Sequence, residues 1–317
     1  MSRPRIGITL GDPGGIGPEI VAKALAASAP LPDSDYVLFG DEEGFRNEAS
    51  RLGLTLAARS VSFHAPGGAR PSGRRGAPDK NNGAASFRAF EAAVADARAG
   101  MVQAIVTAPV SKKSWDLAGV PWRGHTDYLA GFFPGVIMTF WSEFLRVALL
   151  SHHLPLREAL ARVTKGEIVR FLRALASGLD AVGESPYELL VAGLNPHAGE
   201  GGLLGREESE EIEPAVREAR EAGLPVTGPF PPDVVFRSAL GRPDRIVVAL
   251  YHDQGLIPFK LEGFATGVNV SLGMPFVRTS PDHGTAFDIS GEGRADPRSM
   301  IAALRLAGSL ASRPAAF

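Results

Sequence analysis

Short apolar, β-branched runs alternate along the chain with longer segments whose apolar residues recur at helical spacing. That alternation predicts a largely parallel α/β sheet. Residues 5–10 read as a first strand, followed by the glycine-rich turn GDPGGIGPE and a helix over 20–28 with Pro18 in its first turn. A second strand is expected over 36–40, an exposed loop with solvated arginines over 66–80, a helix over 82–99 and a buried strand over 103–108. Further on, 137–150 holds two apolar runs interrupted by Ser142 and Glu143, which predicts a strand pair with a tight connection. Strands over 187–194 and 247–251 and helices over 167–179, 206–222 and 297–312 complete the pattern. In the 206–222 segment Glu207, Glu208, Glu210 and Glu211 come early and Arg217 and Arg220 late, as a helix macrodipole favours, so this charge run reads as a solvated face.

Composition narrows the function classes. A chain of 317 residues is long enough for two lobes or one large domain. A formal net charge of -2, with no basic stripe interleaved with aromatics, argues against a nucleic-acid partner. There is no cysteine, so disulfides, thiolate nucleophiles and Cys-ligated zinc are excluded and any metal must use His, Asp or Glu. No apolar run is long enough for a signal peptide or a membrane span, and cytoplasmic residence is the expectation.

The chemistry gathers where predicted strands end. His252 and Asp253 follow the strand over 247–251, His197 follows the strand over 187–194, and His152 and His153 close the strand pair. Open α/β sheets bind ligands at such exits. Three imidazoles there suit a divalent ion with an open position, although isolated histidines also serve a fold. On an extended backbone His152 and His153 point to opposite faces, so one of them is expected in a given site. Glycines 199, 201, 202 and 205 make the loop after His197 a candidate gate. The turn at Gly14 is either a phosphate cradle, with Asp41 as a ribose acid, or a tight turn that needs glycine for its geometry. Thr126 is either a helix cap or a ligand contact. Lys112 and Lys113 read as exposed.

Several stretches carry a resemblance: GDPGGIGPE, TAPVSKK, RGHTDYLA, LNPHAGEGGLLGREE, YHDQGLIPFK and NVSLGMPFVRTSPDHGTAFDISG. In this order, over nearly the whole chain, they resemble the 4-hydroxythreonine-4-phosphate dehydrogenase family of pyridoxal phosphate biosynthesis and its close paralogues. The resemblance implies a two-lobed α/β/α sandwich like that of isocitrate and isopropylmalate dehydrogenases. One lobe, on the cofactor side, would comprise 1–128 with 270–317; the other, on the metal and dimer side, 129–269.

It also implies NAD- or NADP-dependent oxidation of 4-phosphohydroxy-L-threonine with decarboxylation to 3-amino-2-oxopropyl phosphate, assisted by zinc, magnesium or cobalt. His153, His197 and His252 match the metal ligands, and His125, Thr126, Lys260, Asn269 and Arg278 the substrate contacts. The turn at His283, Gly284 and Thr285, with Gly14, is assigned to the cofactor. Asp253 and Asp233, with Lys260, are the candidates for acid-base work. A homodimer with its active site at the subunit interface is expected. The alternatives are a paralogue acting on D-threonate 4-phosphate or a cyclic dihydrodiol carboxylate, a metabolite-binding protein without catalysis, and a metal-dependent hydrolase.

Overall fold

A computed structural model describes residues 3–28, 30–56 and 60–313. The chain forms two compact units, one built from the chain up to Val136 together with the chain from Val268 onward, the other from Ile137–Gly267. Both are α/β.

The first unit is laid out around β1 (Arg5–Thr9), β2 (Asp35–Phe39), β3 (Val61–His64), β4 (Ala104–Thr107), β10 (Val268–Leu272) and β11 (Val277–Pro281). Their order is β3-β2-β1-β4-β11-β10, parallel throughout except for the antiparallel pair β10 and β11. The β-branched runs of the sequence become the central strands β1 and β4, buried along almost their whole length. Helices α1 (Gly17–Ala26), α2 (Glu42–Arg51), α3 (Lys80–Arg98), α4 (Lys112–Leu117), α5 (His125–Phe132) and α11 (Arg298–Ala311) complete the unit. Phe39, Phe90, Ile105, Trp115 and Leu129 belong to one core cluster and are fully buried. Asp79 caps α3 by accepting from the Asn81 and Asn82 amides.

The second unit contains β5 (Ile137–Trp141), β6 (Arg146–Leu149), β7 (Glu188–Ala192), β8 (Val226–Phe230) and β9 (Arg245–Ala249), in the order β5-β6-β9-β7-β8. β5 and β6 form the expected antiparallel pair; β6, β9, β7 and β8 run parallel. Around them lie α6 (Leu156–Leu160), α7 (Lys165–Ala181), α8 (Glu213–Glu221), α9 (Val235–Ala239) and α10 (His252–Gly263). Val147, Leu149, Val247, Ala249 and Phe259 anchor its core.

Four local expectations are corrected. Thr126 does not cap α5: the cap position is Gly124, and Thr126 lies inside the first turn. The segment after Arg206 opens as a wide π-helical turn over Glu208–Ile212, and Glu208 is 2% exposed, not on a solvated face. Of the loop arginines, Arg75 is not free in solvent but pairs with the buried Glu48 at 2.7 Å. Finally, His153 has φ +49°, a left-handed conformation instead of an extended one, which removes the alternation expected of His152 and His153.

Candidate active site

Parallel neighbours present their C-terminal ends at the same sheet edge. Because β6, β9 and β7 are adjacent and parallel, the segments bearing His153, His252 and His197 all leave one edge of the second unit. Ser151, His152, His153, Tyr251, His252 and Asp253 line a cavity of about 250 Å³ there. The rings of His153 and His252 lie 5.7 Å apart, and those of His152 and His153 5.3 Å apart, edge to face. Two imidazoles sharing an ion at bond lengths of ~2.0–2.1 Å have ring centres roughly 5–6 Å apart, so His153 and His252 suit one ion.

Both His252 and His197 have Nδ1 against a carboxylate, Asp253 at 2.6 Å and Glu200 at 2.9 Å. That arrangement would leave Nε2 as the atom to meet a metal and resembles the carboxylate-supported histidines of metal centres. His197 does not line the cavity, and among the described residues no group of three His, Asp or Glu is arranged to hold an ion. The donor chemistry therefore fits a divalent metal, while one chain brings two of the three expected ligands together.

His197 sits in an unusual turn. Residues His197, Ala198, Gly199, Glu200 and Gly201 all have positive φ, three of them non-glycine. Such a run is held only where its surroundings fix it. Glu208 supplies the fixing: its Oε1 accepts from the Leu194 and Asn195 amides, each at 2.7 Å, and its Oε2 accepts from Asn195 Nδ2 at 2.9 Å. The glycines that suggested a flexible gate serve close packing in part, since a Cβ on Gly199 would meet Glu208 Oε2 at 2.7 Å.

In the first unit the chemistry centres on Arg278, which is 3% exposed. Nη1 donates to Ser271 Oγ at 3.1 Å, and Nη2 donates to Thr107 Oγ1 at 2.8 Å and lies 3.3 Å from His125 Nδ1. No carboxylate of the described residues pairs with it. Burial pushes its pKa down to about 10, so it keeps its charge at neutral pH. A guanidinium only donates, hence His125 Nδ1 accepts and Nε2 carries the ring proton. Burial, and after it the Arg278 charge, hold His125 neutral by lowering its pKa well below the ordinary value.

Asn269 stands opposite Ser280, and Ser271 opposite Arg278, so Asn269 and Arg278 share one face of the β10–β11 ladder. Arg278 Nε, His125 Nε2 and Asn269 Oδ1 are buried without a hydrogen-bond partner. Each such group is costly in a folded protein, and two of them, Arg278 Nε and His125 Nε2, are donors on adjacent side chains, a chemistry that suits an anion.

Elsewhere in this unit, the Gly14 turn packs against the His283 turn. Ile16 donates its amide to Thr285 O at 3.0 Å, and a Cβ on Gly15 would meet the same oxygen at 2.7 Å. The amides of Gly14 and Gly15 are bonded to Asp12, so the loop's N–H groups are already engaged and a phosphate cradle is not what its glycines provide. His283 Nδ1 lies 3.0 Å from Gly284 O and its Nε2 is buried without a partner. Asp41 precedes α2 without capping it, and lines a separate cavity of about 120 Å³ with Pro13, Phe45 and Arg75.

Three further residues belong to the second unit. Asp233 is exposed in the turn before α9 and Lys260 is partly buried on α10. His152, given no role by its motif, lines the histidine cavity with Nδ1 buried and unpartnered. Its position after a strand was the one signal available.

A model of the pyridoxal phosphate biosynthetic protein PdxA family matches residues 34–307. The chain belongs to the PdxA family. Among its relatives are 4-hydroxythreonine-4-phosphate dehydrogenases of Methylorubrum populi, 40% identical over 98% of this chain and 95% of that protein, and of Burkholderia vietnamiensis, 42% identical over 97% and 96%. The crystal structure of 4-hydroxythreonine-4-phosphate dehydrogenase from Klebsiella pneumoniae matches with a TM-score of 0.86 and 37% identity, covering 98% of this chain and 100% of that one. A terephthalate 1,2-cis-dihydrodiol dehydrogenase from Burkholderia xenovorans LB400 matches with a TM-score of 0.68 and 31% identity, over 97% and 98%. The match to PdxA proteins thus extends over both units.

Proposed function

We propose that this chain is a 4-hydroxythreonine-4-phosphate dehydrogenase, oxidising the C3 alcohol of 4-phosphohydroxy-L-threonine with NAD or NADP and releasing carbon dioxide to give 3-amino-2-oxopropyl phosphate. The observation that supports this reading is the buried Arg278 cluster, a cation with unpartnered donors in a chain about as long as its dehydrogenase relatives. Arg278 and His125 take the anionic end of the substrate, with Thr126, Asn269 and Lys260 as further contacts. Neutral His125 presents Nε2–H to it as a donor.

A divalent ion (zinc, magnesium or cobalt), when bound, supplies Lewis acidity to the alcohol oxygen, and the nicotinamide accepts hydride. His153, His252 and His197 would hold that ion. Asp253, through its bond to His252 Nδ1, orients the ring, and Lys260 and Asp233 are left to hold or move the proton of the alcohol. His283, Gly284, Thr285 and Gly14 form the surface assigned to the nucleotide, with the Gly14 turn acting through its packing.

A homodimer with its active site at the subunit interface is part of the same reading. α10, which begins at His252, exposes Ile257 (59%), Leu261 (81%) and Phe264 (75%) at i, i+4 and i+7. Such an apolar stripe on a soluble enzyme calls for a covering surface, and a second copy of the chain is the occupant proposed. No helix of the described residues is long and apolar enough to cross a membrane.

The test is incubation of the purified protein with metal and NAD or NADP, following reduced nucleotide with 4-phosphohydroxy-L-threonine, D-threonate 4-phosphate and a cyclic dihydrodiol carboxylate. Turnover of the first is expected. Silence with the first and turnover of another would replace the proposed reaction by that of a paralogue. Absence of nucleotide binding would overturn dehydrogenase chemistry altogether.

A further inference from the structure

The connection between β11 and α11, residues 282–297, carries the His283 turn and has little regular structure beyond one short 3-10 turn, Phe287–Ile289. Ala286, directly before that turn, is left-handed at φ +41°, a conformation a non-glycine residue keeps only where its surroundings fix it. The fixing comes from α1 and the turn in front of it. Ile16 N donates to Thr285 O at 3.0 Å, and Ser290 Oγ donates to Gly15 O at 3.1 Å. Ala295, 2% exposed, is grasped at both of its backbone groups: its amide donates to Glu19 Oε1 at 2.8 Å, and its carbonyl accepts from Lys23 Nζ at 2.8 Å. The same ammonium donates to Gly293 O at 2.8 Å and to Glu19 Oε1 at 2.7 Å. All three N–H groups of Lys23 are thus engaged, two on the connection and one on a carboxylate one helical turn away.

We propose that Lys23 and Glu19 are positioning residues of the nucleotide site: together they strap the 282–297 connection to α1 and so preset the turn of His283, Gly284 and Thr285 for the cofactor. The inference rests on the reading of that turn as the nucleotide surface. An exposed ion pair along a helix adds little. This one differs, because the Glu19 side chain is 2% exposed and the pair closes on the backbone of another segment. Without the ammonium, the Gly293 and Ala295 carbonyls lose this donor and Glu19 is left as a buried charge without its cation. The connection then samples arrangements in which the turn is not preset, and the apparent affinity for nucleotide falls with the fraction of molecules that keep the competent one. Arg278 lies in the β10–β11 ladder, which the strap does not touch, so the effect is confined to the nucleotide.

The test is calorimetric titration of the full-length protein with NADH and with NADPH, alongside backbone hydrogen exchange, steady-state kinetics and thermal melts. Lys23→Met is expected to weaken binding of the nucleotide that the wild-type protein takes by about tenfold, as follows if about a tenth of the molecules keep the competent turn. Exchange over 283–295 should quicken, and KM for the nucleotide should rise while KM for the phosphorylated substrate stays unchanged. Lys23→Arg, which keeps the charge and several donors, should recover most of the loss. A merely structural pair would lower the melting temperature and leave the nucleotide affinity of the folded fraction unchanged, and that result overturns the proposal. If Lys23→Met does not fold, Ser290→Ala and the double variant Glu19→Gln with Lys23→Met, which removes both charges together, decide on the same criteria. Failure of the wild-type protein to bind either nucleotide would remove the nucleotide reading of the turn, and this inference with it.

Discussion

Arg278 shows how much one residue's surroundings add to its identity. In sequence it is an arginine beside a valine in an apolar run; in the fold it is a buried cation whose neighbours are two hydroxyls and a neutral imidazole. Lysine in its place would keep the charge but not the planar fork, and its ammonium could not reach Thr107, Ser271 and an anion with the same geometry. Arg278→Lys is therefore expected to lower kcat/KM more than tenfold, a loss of over ~1.4 kcal/mol of transition-state binding. Steady-state kinetics check this, and unchanged kinetics would place Arg278 outside the site. Legibility at this scale was uneven. Motifs pointed to Arg278, His125 and the strand-end histidines, whereas the tautomer of His125 and the inward position of His152 depend on neighbours distant in the chain.

At the scale of elements, α2 shows a charge that its helical pattern could not explain. Burial alone would raise the pKa of Glu48, but hydrogen bonds from Arg51 and Arg75 outweigh it and hold the carboxylate down to about 2 from an ordinary 4.5. A folded-state pKa depressed in this way adds stability above the unfolded pKa and loses it as pH falls through about 4.5 toward 2. The contribution is at most about 3 kcal/mol, and less in practice because both arginines are about 40% exposed. Glu48→Gln should lower Tm at neutral pH and flatten the acid limb of stability between those two pH values, as thermal melts across pH would show. A second element-scale prediction concerns α3 and α4. A Cβ on Gly83 would stand 2.0 Å from the Ser114 carbonyl oxygen, so Gly83→Ala must push the two helices apart. A loss of about 2 kcal/mol or more is expected in denaturant unfolding, in line with overpacked cores. Wild-type stability would mean that α4 yields freely. The helical spacing of α3 was readable from sequence; the closeness of α4 was not, because a glycine in a helix looks the same whether it faces solvent or a neighbouring backbone.

For the molecule as a whole, the exposed stripe on α10 leads to a prediction about assembly. Leu261→Asp with Phe264→Asp should convert a dimer to a monomer by light scattering or sedimentation and reduce turnover with it, since burying two carboxylates in an apolar contact is costly. A wild-type monomer with full activity would sink the shared site. By itself, the sequence determined the α/β class, the order of most strands and helices, the exclusion of thiol chemistry and the motifs by which the family is recognised. These follow from periodicity and residue type, which are local properties. Tertiary structure alone decided that β6, β9 and β7 are neighbours, that Glu208 is buried beneath the His197 turn, that Gln254 bridges two strand ends and that Arg278 is buried against Thr107 and Ser271. The reason is physical: a hydrogen bond or a buried charge acquires its partner from residues far away in the chain, and only the folded arrangement specifies which residues those are.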